Sequence, residues 1–370
     1  MPDTEQGRRE RLRPAIAALD ADAALITSPP NVRYLTGLAS SNAAVLVPAP
    51  GATAVLATDS RYALTARQDC PDTELVTERS IEPALARVAV TRGWHRIAFE
   101  AHEMTVERYE AFAVAAAEAG PGLLELVPLG RAVEPLRMVK DEAEIALLAQ
   151  ACAITSQALA DLLAGMAPGV TERELAARLE RRMSELGADR PAFETIVASG
   201  PNGAIPHHAP GDRPVGRGDL VTIDCGARYG GYHADLTRTV VIGPPAGWQR
   251  EVYDLVAAAQ RAGLAAAVPG AHVTEVDGAA RDLIEAAGHA AHFTHGLGHG
   301  VGLEIHEAPI MGPGRAGTLV DRVPVTVEPG VYLPGHGGVR IEDTVVVRAG
   351  SGPVAPPEML TTTTRELTVL

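Results

Sequence analysis

An α/β domain followed by an internally duplicated α+β domain is the fold class this sequence predicts, and three observations predict it. Short strand-like and helical segments alternate up to about residue 130. Longer amphipathic helices begin at Asp141, and the order helix, helix, strand, strand then occurs twice, about a hundred residues apart. With 370 residues, 46% of them hydrophobic, the chain has enough apolar side chains for two separate cores.

In the first part, Leu12, Ile16 and Leu19 share one face of a helix that leads into a strand over Ala23 to Thr27. Apolar runs at Ala43 to Val47 and Ala52 to Ala57 read as further strands. Ile97 to Phe99 reads as a strand, Val106 to Ala119 as a helix ended by Gly120-Pro121, and Leu123 to Val127 as another strand. This part has no Gly-x-Gly-x-x-Gly turn and no phosphate loop, so nucleotide binding has no support. Tyr34, Arg61 and Tyr62 read as structural residues or as part of a domain edge. Gly130 to Lys140, which contains Pro135, is the expected linker, giving domains at 1–132 and 138–370.

In the second part, Ile145, Leu148, Cys152, Leu159 and Leu162 keep helical spacing as far as Pro168-Gly169. Thr171-Glu-Arg-Glu174 is a capping box that opens a second helix, with Leu175, Leu179, Met183 and Leu186 on one face and Gly187 as its stop. The same order returns with a helix from Glu251, a stop at Pro269-Gly270, Thr274-Glu-Val-Asp277, and a helix ending near Gly288. The strands repeat as well. Val221-Thr-Ile-Asp224-Cys-Gly matches Val325-Thr-Val-Glu328-Pro-Gly, and Asp235-Leu-Thr-Arg-Thr matches Glu342-Asp-Thr-Val-Val at a nearly equal offset.

Strand side chains alternate with period two, so Asp224, Asp235, Glu328 and Glu342 share faces with threonines, while Val221, Ile223, Val325, Val327 and Ile341 face the helices. An approximate twofold axis would bring the four acids, and the nearly equivalent His207 and His306, to one central site. Four carboxylates facing one another raise each other's pKa unless cations neutralise them, and two divalent ions balance four charges. Oxygen ligands with one imidazole suit manganese, cobalt, zinc or ferrous iron. The imidazole expected is His299, which has no histidine counterpart in the first half, where Ala198-Ser199-Gly200 stands. Solvated acids on a sheet face, or a calcium site, are the alternatives at this point.

His295 to Glu307 holds three histidines and four glycines in thirteen residues, too much imidazole for a packed core. Glycine allows close backbone approach to a bound group, and neutral imidazole binds divalent metal. The net charge of −14 disfavours nucleic acid or a membrane surface as partner. The first ten residues lack an apolar core, and no run of about eighteen apolar residues follows, so a cytoplasmic location is expected. Cys70, Cys152 and Cys225 are too far apart for a Cys-x-x-Cys site and read as reduced thiols. Among the 32 basic residues only Lys140 is lysine.

From about Val139 to Leu370 the chain resembles the metallopeptidases of the pita-bread fold, which include methionine aminopeptidase, aminopeptidase P and prolidase. The motifs are Ala204-Ile-Pro-His207-His, Ile223-Asp224-Cys-Gly, His233-Ala-Asp235-Leu-Thr-Arg-Thr, Gly298-His299-Gly-Val-Gly-Leu-Glu-Ile-His306-Glu, Val327-Glu328-Pro-Gly and Arg340-Ile-Glu342-Asp. The resemblance implies a pita-bread catalytic domain behind a creatinase-like N-terminal domain. It also implies metal ligands Asp224, Asp235, His299, Glu328 and Glu342, with His207, His295 and His306 beside the substrate. Leu319-Val-Asp-Arg-Val-Pro324 departs from the Pro-Gly-Met turn that usually precedes the Glu328 motif.

The expected reaction is cleavage of the bond before proline in Xaa-Pro dipeptides by a hydroxide bridging two metal ions, manganese being favoured. Glu328 would shuttle the proton, and His207 and His306 would orient the substrate or stabilise the oxyanion. Arg340 would meet the substrate carboxylate. Release of the first residue from longer Xaa-Pro peptides, as in aminopeptidase P, is the alternative. A metal-free creatinase-like hydrolase or a non-catalytic binding protein on this fold is disfavoured by the intact ligand set. In such families the N-terminal domain of one subunit often approaches another's active site, which implies a homodimer with Tyr34 or Arg61 near that contact.

Overall fold

The computed structural model describes residues 4–120, 124–350 and 356–370. The chain divides into two compact units, residues 1–137 and 138–370.

The first unit carries a six-stranded mixed sheet in the order Glu74–Thr77, Val55–Thr58, Ala43–Pro48, Ala23–Ile26, Arg96–Phe99, Glu125–Pro128. Its two central pairings, Ala23–Ile26 with Ala43–Pro48 and Ala43–Pro48 with Val55–Thr58, are antiparallel, and the outer ones are parallel. Leu25, Leu46, Leu85, Ile97 and Phe112 meet in its core. The helix over Val106–Ala119 forms, with Thr105 as its cap. Pro121 and Leu123, expected to end that helix and begin the next strand, lie outside the described residues. Helices Pro29–Thr36, Ala63–Asp69 and Ile81–Thr91 add to the elements expected. The expected linker is not open chain: Glu134–Met138 is a helix, and its buried Arg137 donates to Asn31 Oδ1 at 2.7 Å.

The second unit is two similar halves. A three-stranded antiparallel sheet, Leu236–Val241, Leu220–Cys225, Ile196–Ser199, is covered by helices Glu142–Ala164 and Glu172–Glu185 through Leu159, Leu175, Leu179, Val221 and Ile223. A five-stranded antiparallel sheet, Glu307–Met311, Gly298–Gly300, Pro324–Val327, Asp343–Val346, Glu358–Met359, is covered by helices Gly247–Ala266 and Val273–Ala286 through Val256, Val276, Val325, Val327 and Ile341. The capping box at Thr171 forms: its hydroxyl accepts from Glu174 N–H at 3.2 Å and Glu174 accepts from Thr171 N–H at 3.0 Å. In the second half the cap lies two residues before Thr274, at His272, whose N–H donates to Glu275, and the helix starts at Val273. Asp277, inside that helix, instead accepts from Leu297 N–H at 3.0 Å and pairs with Arg281. Glu142–Ala164 is the one helix among the described residues long and apolar enough to cross a membrane, and over half of its apolar window is buried against the rest of the second unit.

Candidate metal centre

Asp224 lies near the end of strand Leu220–Cys225, Asp235 directly precedes Leu236–Val241, Glu328 directly follows Pro324–Val327, and Glu342 directly precedes Asp343–Val346. Because the alternating residues Val221, Ile223, Leu236, Val325, Val327 and Ile341 are in the two cores, the acids are turned to the opposite side. Donor atoms of Asp235, His299 and Glu342 all lie within 4.8 Å of one another. His299 Nε2 is 3.6 Å from Asp235 Oδ2 and 3.4 Å from Glu328 Oε1. Asp224 Oδ2 accepts from Arg340 Nη2 at 2.7 Å, while its Oδ1 is buried without a hydrogen-bond partner among the described residues. Thr237 donates to Glu342 Oε2 at 2.7 Å, and Thr326 accepts from His299 N–H at 3.1 Å.

The protein's own charges cannot hold this group fully ionised. Burial, then the neighbouring carboxylates, pushes Asp235 and Glu342 well above the usual carboxylate range. Burial also pushes Glu328 up to about 8, with Asp224 adding to the rise and Arg340 opposing it. Burial and the nearby His306 lower His299 to about 4, so its ring is neutral. Its Nδ1 lies 3.0 Å from the Gly300 carbonyl, which can only accept, so Nδ1 carries the hydrogen and the Nε2 lone pair points at the acids. An orphaned carboxylate oxygen, three more carboxylates short of positive charge and one imidazole lone pair form a donor set that fits two divalent cations.

A family model described as metallopeptidase family M24 matches residues 146–349, and one for the creatinase/prolidase N-terminal domain matches residues 8–139. The chain belongs to metallopeptidase family M24. It is 43% identical over 235 residues to an Xaa-Pro dipeptidase of Pyrococcus furiosus, a match covering 64% of this chain and 66% of that protein. Over 99% of its length it resembles the solved Xaa-Pro dipeptidase from Bacillus anthracis, covering 100% of that chain, at 34% identity and a TM-score of 0.93. It also resembles the X-Pro aminopeptidase from Thermotoga maritima over 98% of this chain and 99% of that one, at 35% identity and a TM-score of 0.87. This M24 chain is therefore a metallopeptidase with a pita-bread catalytic domain behind a creatinase-type N-terminal domain.

All nine residues singled out in the sequence line one cavity of about 470 Å³ in the M24 unit: Asp224, Asp235, His299, Glu328 and Glu342, with His207, His295, His306 and Arg340. The rings of His299 and His306 meet edge to face at 4.4 Å. His295 holds its Nδ1 hydrogen on the Gly296 carbonyl at 2.8 Å and takes the Tyr332 hydroxyl hydrogen on Nε2 at 2.9 Å. Tyr332 in turn accepts from Arg340 Nη1 at 2.9 Å. Arg340 is more committed than expected, since it also donates to Thr237 and the Pro206 carbonyl as well as to Asp224.

The glycines also serve differently from the expectation. A Cβ on Gly298 would lie 2.1 Å from the Thr326 carbonyl oxygen, and one on Gly300 would lie 2.2 Å from that of Ala308. They let strand backbones close on one another rather than on a ligand. Sequence reasoning missed Tyr332, Glu172 and the apolar wall of Phe193, Ile196, Ile305 and Ile310. Glu172 accepts from Ser199 N–H, the Ser199 hydroxyl, Asn202, His208 and Gly211 N–H, and so gathers the segment that carries His207. Tyr332 could have been found from the hairpin alternation that puts Val331 in the core.

Proposed function

We propose that this metallopeptidase hydrolyses the peptide bond before proline in Xaa-Pro dipeptides, with Asp224, Asp235, His299, Glu328 and Glu342 holding two divalent metal ions. The observation that carries the reading is the meeting of those five side chains in one cavity that Phe193, Ile196, Ile305 and Ile310 also line. Manganese is the favoured metal, and cobalt, zinc and ferrous iron suit the same donors. When bound, such a pair supplies a water of lowered pKa as nucleophile and polarises the scissile carbonyl.

The protein's own groups do the rest. Glu328 keeps two carboxylate oxygens and a partly exposed edge in the cavity. It takes the proton of the attacking water and delivers it to the proline nitrogen as the carbon–nitrogen bond breaks. His306 and His207 stand at the open side, where they donate to the developing oxyanion or hold the substrate's first residue. The apolar wall of Ile305, Ile310 and Phe193 seats the substrate's side chains and excludes water. Arg340 has five N–H groups, and the four bonds named above leave one Nη2–H for the free carboxylate of a dipeptide.

Release of the first residue from longer Xaa-Pro peptides is the second reading, favoured by the likeness to the Thermotoga maritima protein. The deciding assay compares an Xaa-Pro dipeptide with an Xaa-Pro-Xaa tripeptide on the manganese- or cobalt-loaded enzyme. The dipeptide is expected to show the higher kcat/KM. A tripeptide preference of tenfold or more, about 1.4 kcal/mol of discrimination, selects the second reading. The proposal includes a homodimer and a cytoplasmic location.

A further inference from the structure

We propose that the buried ion pair of Lys140 and Glu307 is the positioning device for His306, an inference that rests on the reading of His306 as part of the reaction. No hydrogen bond reaches the His306 ring among the described residues, and the residue is exposed at the mouth of the cavity. The ring rests edge to face on that of His299, and with no hydrogen bond to direct it the rest of its placement comes from its backbone. That backbone lies between strands Gly298–Gly300 and Glu307–Met311, and the next residue, Glu307, is fixed on both oxygens. Oε2 accepts from Lys140 Nζ at 2.9 Å and Oε1 from Glu304 N–H at 2.9 Å, so both ends of the Glu304–Glu307 turn are tied to one carboxylate. The Lys140 side chain is 1% exposed, and its own N–H donates to the Arg322 carbonyl at 2.9 Å.

The space is cut for an ammonium group. A Cβ on Gly302 would lie 2.8 Å from Lys140 Cε and 2.7 Å from Glu307 Oε2, so the glycine leaves the room that the ammonium and carboxylate occupy.

The test measures kcat, KM, metal content and the imidazole NMR resonances of His306 in Lys140→Met, placed in the wild-type and His306→Ala backgrounds. Positioning predicts a kcat loss of tenfold or more with KM and metal content within twofold, displaced His306 resonances, and less than twofold further loss in the His306→Ala background. An equal loss in both backgrounds, or undisplaced His306 resonances in folded protein, overturns it. If Lys140→Met does not fold, the double variant Lys140→Met/Glu307→Leu removes both charges together, which buried pairs often tolerate. Wild-type resonances and kcat in that variant overturn the proposal, and displaced resonances with low kcat support it. If His306→Ala alone leaves kcat unchanged, the catalytic reading of His306 fails, and the resonances decide positioning by themselves.

Discussion

Asp235 and Glu328 are held where neither ionises easily, because burial and the charge of other carboxylates both oppose it. Replacing either by alanine removes a repelling charge as well as a ligand, so the fold is expected to survive while activity does not. Asp235→Ala and Glu328→Ala should each lose at least about a hundredfold in kcat/KM at saturating manganese, with an unchanged circular dichroism spectrum. Activity within tenfold of wild type would reject the site. His306→Ala should lower kcat by a similar factor and keep its metal, because the ring reaches the cavity without joining the cluster. At this scale the sequence was highly informative about the acids. Each stands next to a buried apolar residue, Ile223, Leu236, Val327 or Ile341, whose burial forces its direction, and period two makes that readable. Tyr332 and Arg340 were harder, since their roles depend on which partner each finds across a hairpin and between strands, and spacing along the chain does not encode partners.

Among the elements, the helix Glu172–Glu185 does more than cover a sheet. Its first residue, Glu172, is buried, which raises its pKa, but the hydrogen bonds from Ser199, Asn202 and His208 outweigh burial and hold it below its ordinary 4.5. The unfolded chain therefore takes up the proton first on acidification. The stability contributed is present above about pH 4.5 and is lost as pH falls through the lowered value. Glu172→Gln should reduce stability by about 1–3 kcal/mol at neutral pH, since buried donors lose a charged acceptor. It should also flatten the fall in Tm on acidification below about pH 4.5, measured by thermal melts. Melting curves for the two proteins that stay parallel would show that Glu172 does not hold the His207 segment by its charge. The capping box beside it was legible because Thr171 and Glu174 are local partners. The reach of Glu172 to Gly211 was not, because the two are 39 residues apart. The glycines near His299 were misassigned for the same reason: the carbonyls that exclude a side chain belong to Thr326 and Ala308, on other strands.

For the whole molecule, two separate cores and a repeated helix-and-sheet order are visible in the pattern alone, while residues 133–137, left between the two expected domains, pack with the first unit. Arg137 is polar and sits where Pro135 signals a break, yet it is buried against Asn31 of the first unit. Of the two residues expected near a subunit contact, Tyr34 is 1% exposed, with its hydroxyl donating to the Leu136 carbonyl. Arg61 keeps the other possibility. Its side chain is 57% exposed, pinned by Asp59 and lying over Tyr62, whose hydroxyl is 2.8 Å from that of Ser41. Nearby Leu64 is 67% exposed. A rigid arginine and tyrosine beside an exposed leucine have the composition of an interface centre, where ordered aromatic and Arg side chains lose little entropy on binding. The proposed homodimer should therefore run in sedimentation at about twice the 38.6 kDa of the chain at roughly micromolar concentration. Arg61→Glu should shift it towards monomer, and Tyr34→Phe should leave the dimer intact. A wild-type monomer at that concentration would remove the assembly from the proposal and leave the chemistry of the cavity untouched, because every ligand named here comes from one chain.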